Sequence, residues 1–149
     1  MDQIEHPSQT IWKKRQDWFE DLFDVDKRGG GYLIGEQATG LLIDLQAIFC
    51  AGAFISCVIL ACTIIDSHLR ETEAGSDFDG GIKATFQLSA FNDDLDWLRK
   101  RRNQLIHFKE KRDLPICVDD HYFRRVEHEQ DAKRAIVIVS NVLFENPWV

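Results

Sequence analysis

LLIDLQAIFCAGAFISCVILACTIIDSHLRE, residues 41–71, is the core of the longest apolar segment of the chain, which runs from about Glu36 to Arg70. How it is read decides the fold. Residues 45–65 carry no charge, and at about 1.5 Å per helical residue they would reach across a bilayer. The stretch nevertheless holds Gln46, Gly52, Ser56 and Thr63, has no Lys or Arg flank at its start, and has no Trp or Tyr at its ends. Those features are unlike a membrane span. Ala47, Ala51, Ala53 and Ala61 suit close packing instead, as in a central bundle helix surrounded by neighbours.

Towards the N-terminus, Ser8 or Thr10 can cap a first helix. Ile11, Trp18 and Leu22 make one stripe on it, and Trp12, Phe19 and Phe23 an adjoining one. Residues 24–35, DVDKRGGGYLIG, then read as a flexible connector with three consecutive glycines. Past the apolar segment, ETEAGSDFDGG ends the helical pattern, and a short apolar patch runs from Phe86 to Phe91. Asn92 or Asp93 is placed to cap a helix reaching about Lys111, which RDLPIC interrupts at Pro115. A last helix from about Asp119 to Phe144 carries Phe123, Val126, Ala135, Ile136, Val139 and Leu143 on one stripe. Its tail, AIVIVSNVLF, is β-branched enough for a short strand to be the alternative. The expected fold is all-α, an up-and-down bundle of four to five helices in a single domain over residues 1–149. Residues 1–35 form the N-terminal helix and connector, and 36–144 the bundle core.

The 149 residues hold 44% hydrophobic side chains, enough for one core, and a formal charge of −7 that excludes a broad nucleic-acid or membrane-coating surface. The charge is uneven. Between Arg99 and Arg112 there are seven Lys/Arg and one acid, Glu110, a pattern that fits a localised anion site. Cys50, Cys57, Cys62 and Cys117 show no CxxC spacing and read as buried hydrophobes in a reduced compartment. The polar, acidic start is not a signal peptide, so a cytoplasmic location is expected. DVDKRG imitates a calcium loop, but Arg28 occupies a ligand position and Gly35 stands where the closing carboxylate belongs. GGGYLIG lacks the Lys-Ser/Thr of a phosphate loop. HYFRRVEHE reads as a solvated helix face, and no metal or cofactor is expected.

The chemistry concentrates in DDLDWLRKRRNQLIHFKEK. At about 100° per helical residue, Leu95, Leu98, Leu105 and Ile106 form the core-facing arc, with Arg99 and Lys100 on the polar side. Arg102 falls inside the apolar arc, where it must pair with a carboxylate or bury its stem and reach an anion. Its planar guanidinium suits two-point binding of phosphate. His107 is the nearby side chain that can exchange a proton near neutral pH, and Asn103 lies one turn before it. Five residues separate Arg102 from His107, so they act together only at a helix edge or across a dimer axis. An intramolecular ion pair and a half-buried histidine are the alternative.

LRKRRNQLIH, residues 98–107, resembles the Arg-Asn-x-x-x-His signature of the HEPN superfamily, α-helical domains of prokaryotic toxins, abortive-infection proteins and CRISPR-associated ribonucleases. The resemblance covers roughly residues 40–110. It implies a helical bundle that dimerises to bring two motifs into one cleft and cleaves RNA without metal. His107 would be general acid/base, Arg102 would stabilise the phosphorane, and Asn103 would assist. Asp66, with Glu71 in reserve, would be the supporting acid late in the preceding helix. Arg99, Lys100, Arg101 and Lys109 would bind RNA. Lys109 stands where antitoxin-paired members often have tyrosine. The expected function is therefore a homodimeric HEPN-like endoribonuclease, a toxin or phage-defence component with RNA and an antitoxin or immunity protein as partners. A catalytically inactive HEPN-like binding or regulatory module is the alternative, and a small membrane-anchored protein is a third reading.

Overall fold

The apolar stretch folds as two helices, because the chain turns back at Gly52. That residue adopts the left-handed backbone, φ +83°, which glycine enters without a Cβ penalty. The Gly52 N–H reaches the Phe49 carbonyl at 3.0 Å and the Ala53 N–H the Ile48 carbonyl at 2.9 Å, closing the end of the first helix. The structure, a computed structural model, describes residues 6–107 and 122–148. Among these residues there are six helices: α1 (Gln9–Leu22), α2 (Glu36–Ala51), α3 (Phe54–Thr72), α4 (Ile82–Phe86), α5 (Asn92–Ile106) and α6 (Arg125–Leu143). The fold is all-α apart from one antiparallel pairing of β1 (Gly31–Tyr32) with β2 (Pro147–Trp148). No helix among the described residues is long and apolar enough to cross a membrane.

Contacts along the helices define their directions. The last turn of α3 holds the start of α2, with Gly35 N–H on His68 Nδ1 (3.3 Å) and Glu36 N–H on Glu71 Oε1 (3.0 Å). These two helices are therefore antiparallel. On α1, Arg15 reaches the Cys50 carbonyl and Glu20 accepts from Gln46, so α1 opposes α2. Arg125 lies over Phe54 at the start of α3, and Asn146 bonds Glu73 at its end, so α6 runs with α3. Arg101 meets Asp131 while Arg134 covers Trp97, so α5 opposes α6. Helices α1, α3 and α6 thus point one way and α2 and α5 the other. Helix α3 is the hub: Cys57, Val58, Ala61, Cys62, Ile64, Ile65 and Leu69 are buried around most of its circumference against α2, α5 and α6.

Several expectations need correction. Ser8 caps α1 through the Ile11 N–H, and Phe19 is buried, but Ile11 is 46% exposed. Arg15 is already level with the end of α2, so the first turn of α1 overhangs it. The glycine-rich connector is anchored. Asp24 caps a 3-10 turn (Val25–Lys27), and Arg28 donates to the Leu22 carbonyl and the Ser140 hydroxyl while covering the Phe144 ring. AIVIVSNVLF is helical through Leu143, because burying Ile136, Ile138, Val139 and Val142 against its neighbours outweighs β-branched propensity. Phe123 and Val126 leave the expected stripe, 87% and 69% exposed. His128, expected on a solvated face, is buried. Helix α5 stops at Ile106 rather than near Lys111. Cys50, Cys57 and Cys62 are buried free thiols, and burial pushes Cys57 and Cys62 up to about 12, as expected of core residues. Cys117 lies outside the described residues.

Candidate functional site

The basic run sits on α5, and its four members have different surroundings. Arg99 meets Asp96 at 2.9 Å and Lys100 meets the same carboxylate at 2.6 Å. Hydrogen bonds from Lys100 and then Arg99 hold the Asp96 carboxyl below its ordinary range. Arg101 crosses to α6, where its Nε lies 2.7 Å from Asp131, and it also donates to Gln104. Arg102 has no carboxylate within ion-pair distance among the described residues. It is half-buried, and its Nη1 donates to Asn103 Oδ1 at 3.2 Å. The basic run thus contains three intramolecularly paired cations and one guanidinium without a carboxylate partner among the described residues.

The core-facing arc holds for Leu95 and Leu98, both fully buried, and Leu105 packs on the core. Ile106 does not follow it and is 38% exposed. The helix ends there: His107 has extended backbone, φ −109° and ψ 115°, and its N–H makes the last helical bond to the Asn103 carbonyl at 3.1 Å. His107 is exposed, and leaving the helix frees its side chain from the face shared with Asn103. Lys109 lies outside the described residues.

Asp66 is elsewhere. The thiol of Cys62 on α3 faces the Leu98 carbonyl of α5 at 3.7 Å. Because the helices are antiparallel, Asp66 and Arg102 each lie one turn from that contact in opposite directions. Cys62 registers both charges, Arg102 lowering and Asp66 raising its proton affinity. The Asp66 carboxylate instead takes Arg70 Nε at 2.9 Å through one oxygen, and its Oδ1 is buried without a hydrogen bond among the described residues. Glu71, the reserve acid, caps α2. The structure brings together Arg102, Asn103 and the backbone of His107, and leaves the acid apart.

The same end of the bundle holds a second cationic cluster that the sequence did not signal. Arg15 from α1 and Arg125 from α6 lie over the Phe54 ring, 5.0 and 4.6 Å from its centroid. Both come within 3.2 Å of the point where a Cβ on residue 52 would sit. They meet only because α1 and α6 run parallel on either side of the α2–α3 turn. No group of three or more His, Cys, Asp or Glu among the described residues could hold a metal ion. Comparison with protein families, with curated proteins and with solved structures finds no match to this chain.

Proposed function

We propose that this chain is a HEPN-like, metal-independent endoribonuclease, working as a homodimer in which Arg102 and His107 of each copy share one cleft. The observation that carries the reading is the contrast within the basic run: Arg99, Lys100 and Arg101 are paired with Asp96 and Asp131, whereas Arg102 has no carboxylate among the described residues. An exposed histidine follows it at the helix end. In the proposed reaction the ribose 2′-oxygen attacks the adjacent phosphorus and gives its proton to one His107. The second copy's histidine protonates the departing 5′-oxygen, leaving a 2′,3′-cyclic phosphate. Arg102 supports charge on the phosphorane with two-point geometry, and Asn103 steadies Arg102. A role in a toxin–antitoxin pair or in phage defence belongs to this same proposal.

The second reading is a catalytically silent helical module that binds RNA or a partner. It draws on one observation, the engagement of Asp66 by Arg70 away from Arg102. Incubation of the purified chain with single-stranded RNA in EDTA separates the two. Cleavage leaving cyclic phosphate ends, lost in His107→Ala, supports the nuclease, and binding without cleavage supports the module.

A further inference from the structure

We propose that Arg15 and Arg125 form a second binding site for a phosphate group, seated over the Phe54 ring at the α2–α3 turn. It goes beyond the ribonuclease reading and uses none of that reading's residues. The starting point is two like charges held side by side. The Arg15 and Arg125 guanidinium groups converge on Gly52, with Arg125 Nη2 2.9 Å and Arg15 Nη1 3.2 Å from where a Cβ there would lie. Arg15 is accounted for: its Nη1 donates to the Cys50 carbonyl at 3.1 Å, at the end of α2 where unpaired carbonyls and the helix dipole favour a cation. Arg125 makes no such bond among the described residues. Its Nη1 is shielded from solvent and has no acceptor among the described residues. Phe54 offers its π-electrons to both cations, which moderates their repulsion but satisfies no N–H.

Among the described residues, the acids nearby do not complete the pair. Glu129 is the carboxylate felt at Arg125, and Lys133 engages it at 3.5 Å. Burial, and then the charge of Arg15, hold Arg125 below the ordinary arginine range. An oxyanion bridging the two forks would offset the charge that Arg15 and Arg125 place on each other. A phosphate group, with several acceptor oxygens and more than one negative charge, fits two forks better than a single carboxylate. A side chain at Gly52 would press on both forks, so glycine is what lets the two guanidinium groups approach this turn together.

The experiment titrates the full chain with inorganic phosphate, at constant ionic strength so that screening is unchanged. Thermal melting and the Nε–H resonances of 15N-labelled arginine are the readouts. Wild type should show a saturable rise in melting temperature, with the Arg15 and Arg125 resonances shifting together. Arg125→Gln should weaken the apparent phosphate affinity about ten-fold or more, and Lys27→Gln, at the far end, should leave it unchanged. The arginine resonances of wild type keep the test open should Arg125→Gln fold poorly. A parallel titration with single-stranded oligonucleotide lacking terminal phosphates distinguishes the sources. Arg125-dependent binding of the oligonucleotide assigns the site to backbone phosphate, and a response to inorganic phosphate alone assigns it to a free or terminal phosphate. No saturable response in wild type, unmoved Arg15 and Arg125 resonances, or equal affinity in a folded Arg125→Gln would overturn the proposal.

Discussion

Glu145, just beyond α6, grips the turn that enters α5: its carboxylate accepts the Ala90 N–H at 2.6 Å through one oxygen and the Ser89 hydroxyl at 2.7 Å through the other. The Ser89 hydroxyl in turn accepts the Phe91 N–H at 3.1 Å. Asn92 and Asp93, the caps expected from sequence, lie inside the helix, and Phe91 at the cap position makes no side-chain hydrogen bond. The carboxylate therefore organises the start of α5 from 55 residues further along the chain. Glu145→Ala leaves Ser89, which is buried, without that partner. Urea denaturation should show a loss of about 1–2 kcal/mol, with little change in the denaturant slope. An unchanged midpoint would count against this role.

Gly52 should tolerate almost no other residue. Alanine there must hold a left-handed backbone, which costs about 1–2 kcal/mol, and its Cβ would press Arg125 Nη2 at 2.9 Å. Gly52→Ala is expected to lose at least that stability in a denaturation curve. Asn, which enters the left-handed region more readily, should lose less of the backbone component.

His68 makes stability depend on pH. It is buried, and its Nδ1 accepts the Gly35 N–H, so the neutral ring is the bonded form. Burial lowers its proton affinity from the ordinary 6.5, against smaller opposing contributions from Glu73, Glu71 and Glu145. With the folded value below the unfolded one, the unfolded chain binds more protons between the two. This contribution is therefore fully present above pH 6.5, falls as pH drops below it, and levels off below the folded value. Melting curves of His68→Asn, which keeps an acceptor for Gly35, should lose this acid-side slope.

Arg101 and Lys100 are neighbours with different duties. The Arg101–Asp131 pair joins α5 to α6 with side chains only 18% and 26% exposed, whereas Lys100 is 64% exposed on a pair within its own helix. Arg101→Ala should lower stability by about 1–2 kcal/mol. Lys100→Ala should change it by no more than about 0.5 kcal/mol, and under the proposed ribonuclease reading should act on RNA affinity and its salt dependence instead. Equal losses in the two variants, measured by urea denaturation, would contradict this division.

For the proposed nuclease, His107→Ala should reduce RNA cleavage by roughly 10²–10⁴-fold without loss of stability, since His107 is exposed at the end of α5. Arg102→Lys keeps the charge and loses the two-point fork, so cleavage should remain badly impaired. Sedimentation of the wild-type chain at micromolar concentration tests the dimer. Cleavage unaffected by His107→Ala would remove the mechanism.

Local pattern was enough to identify α1, α5 and α6 as helices and the 36–70 segment as helical, but it showed neither the break at Gly52 nor α4. Ser8 as a cap, the stripe through Phe19, the arc through Leu95 and Leu98 and the packing role of the cysteines follow from periodicity and side-chain type, which act over a few residues. Gly52 was visible inside 41–71, yet a glycine in an apolar run is compatible with a continuous helix. The packing of α2 on α3 and the capping of α2 by His68 and Glu71 favour the turn, and both come from residues distant in sequence. The cluster Arg99–Arg102 was legible as a charge run, but which member stays unpaired with a carboxylate among the described residues depends on Asp131 arriving from α6. Asp66 entered only as the supporting acid that the resemblance implies, and its engagement by Arg70 depends on the fold. Ion pairing and capping between distant segments depend on which helices lie side by side and in which direction they run. Those relations exist only once the apolar faces have packed.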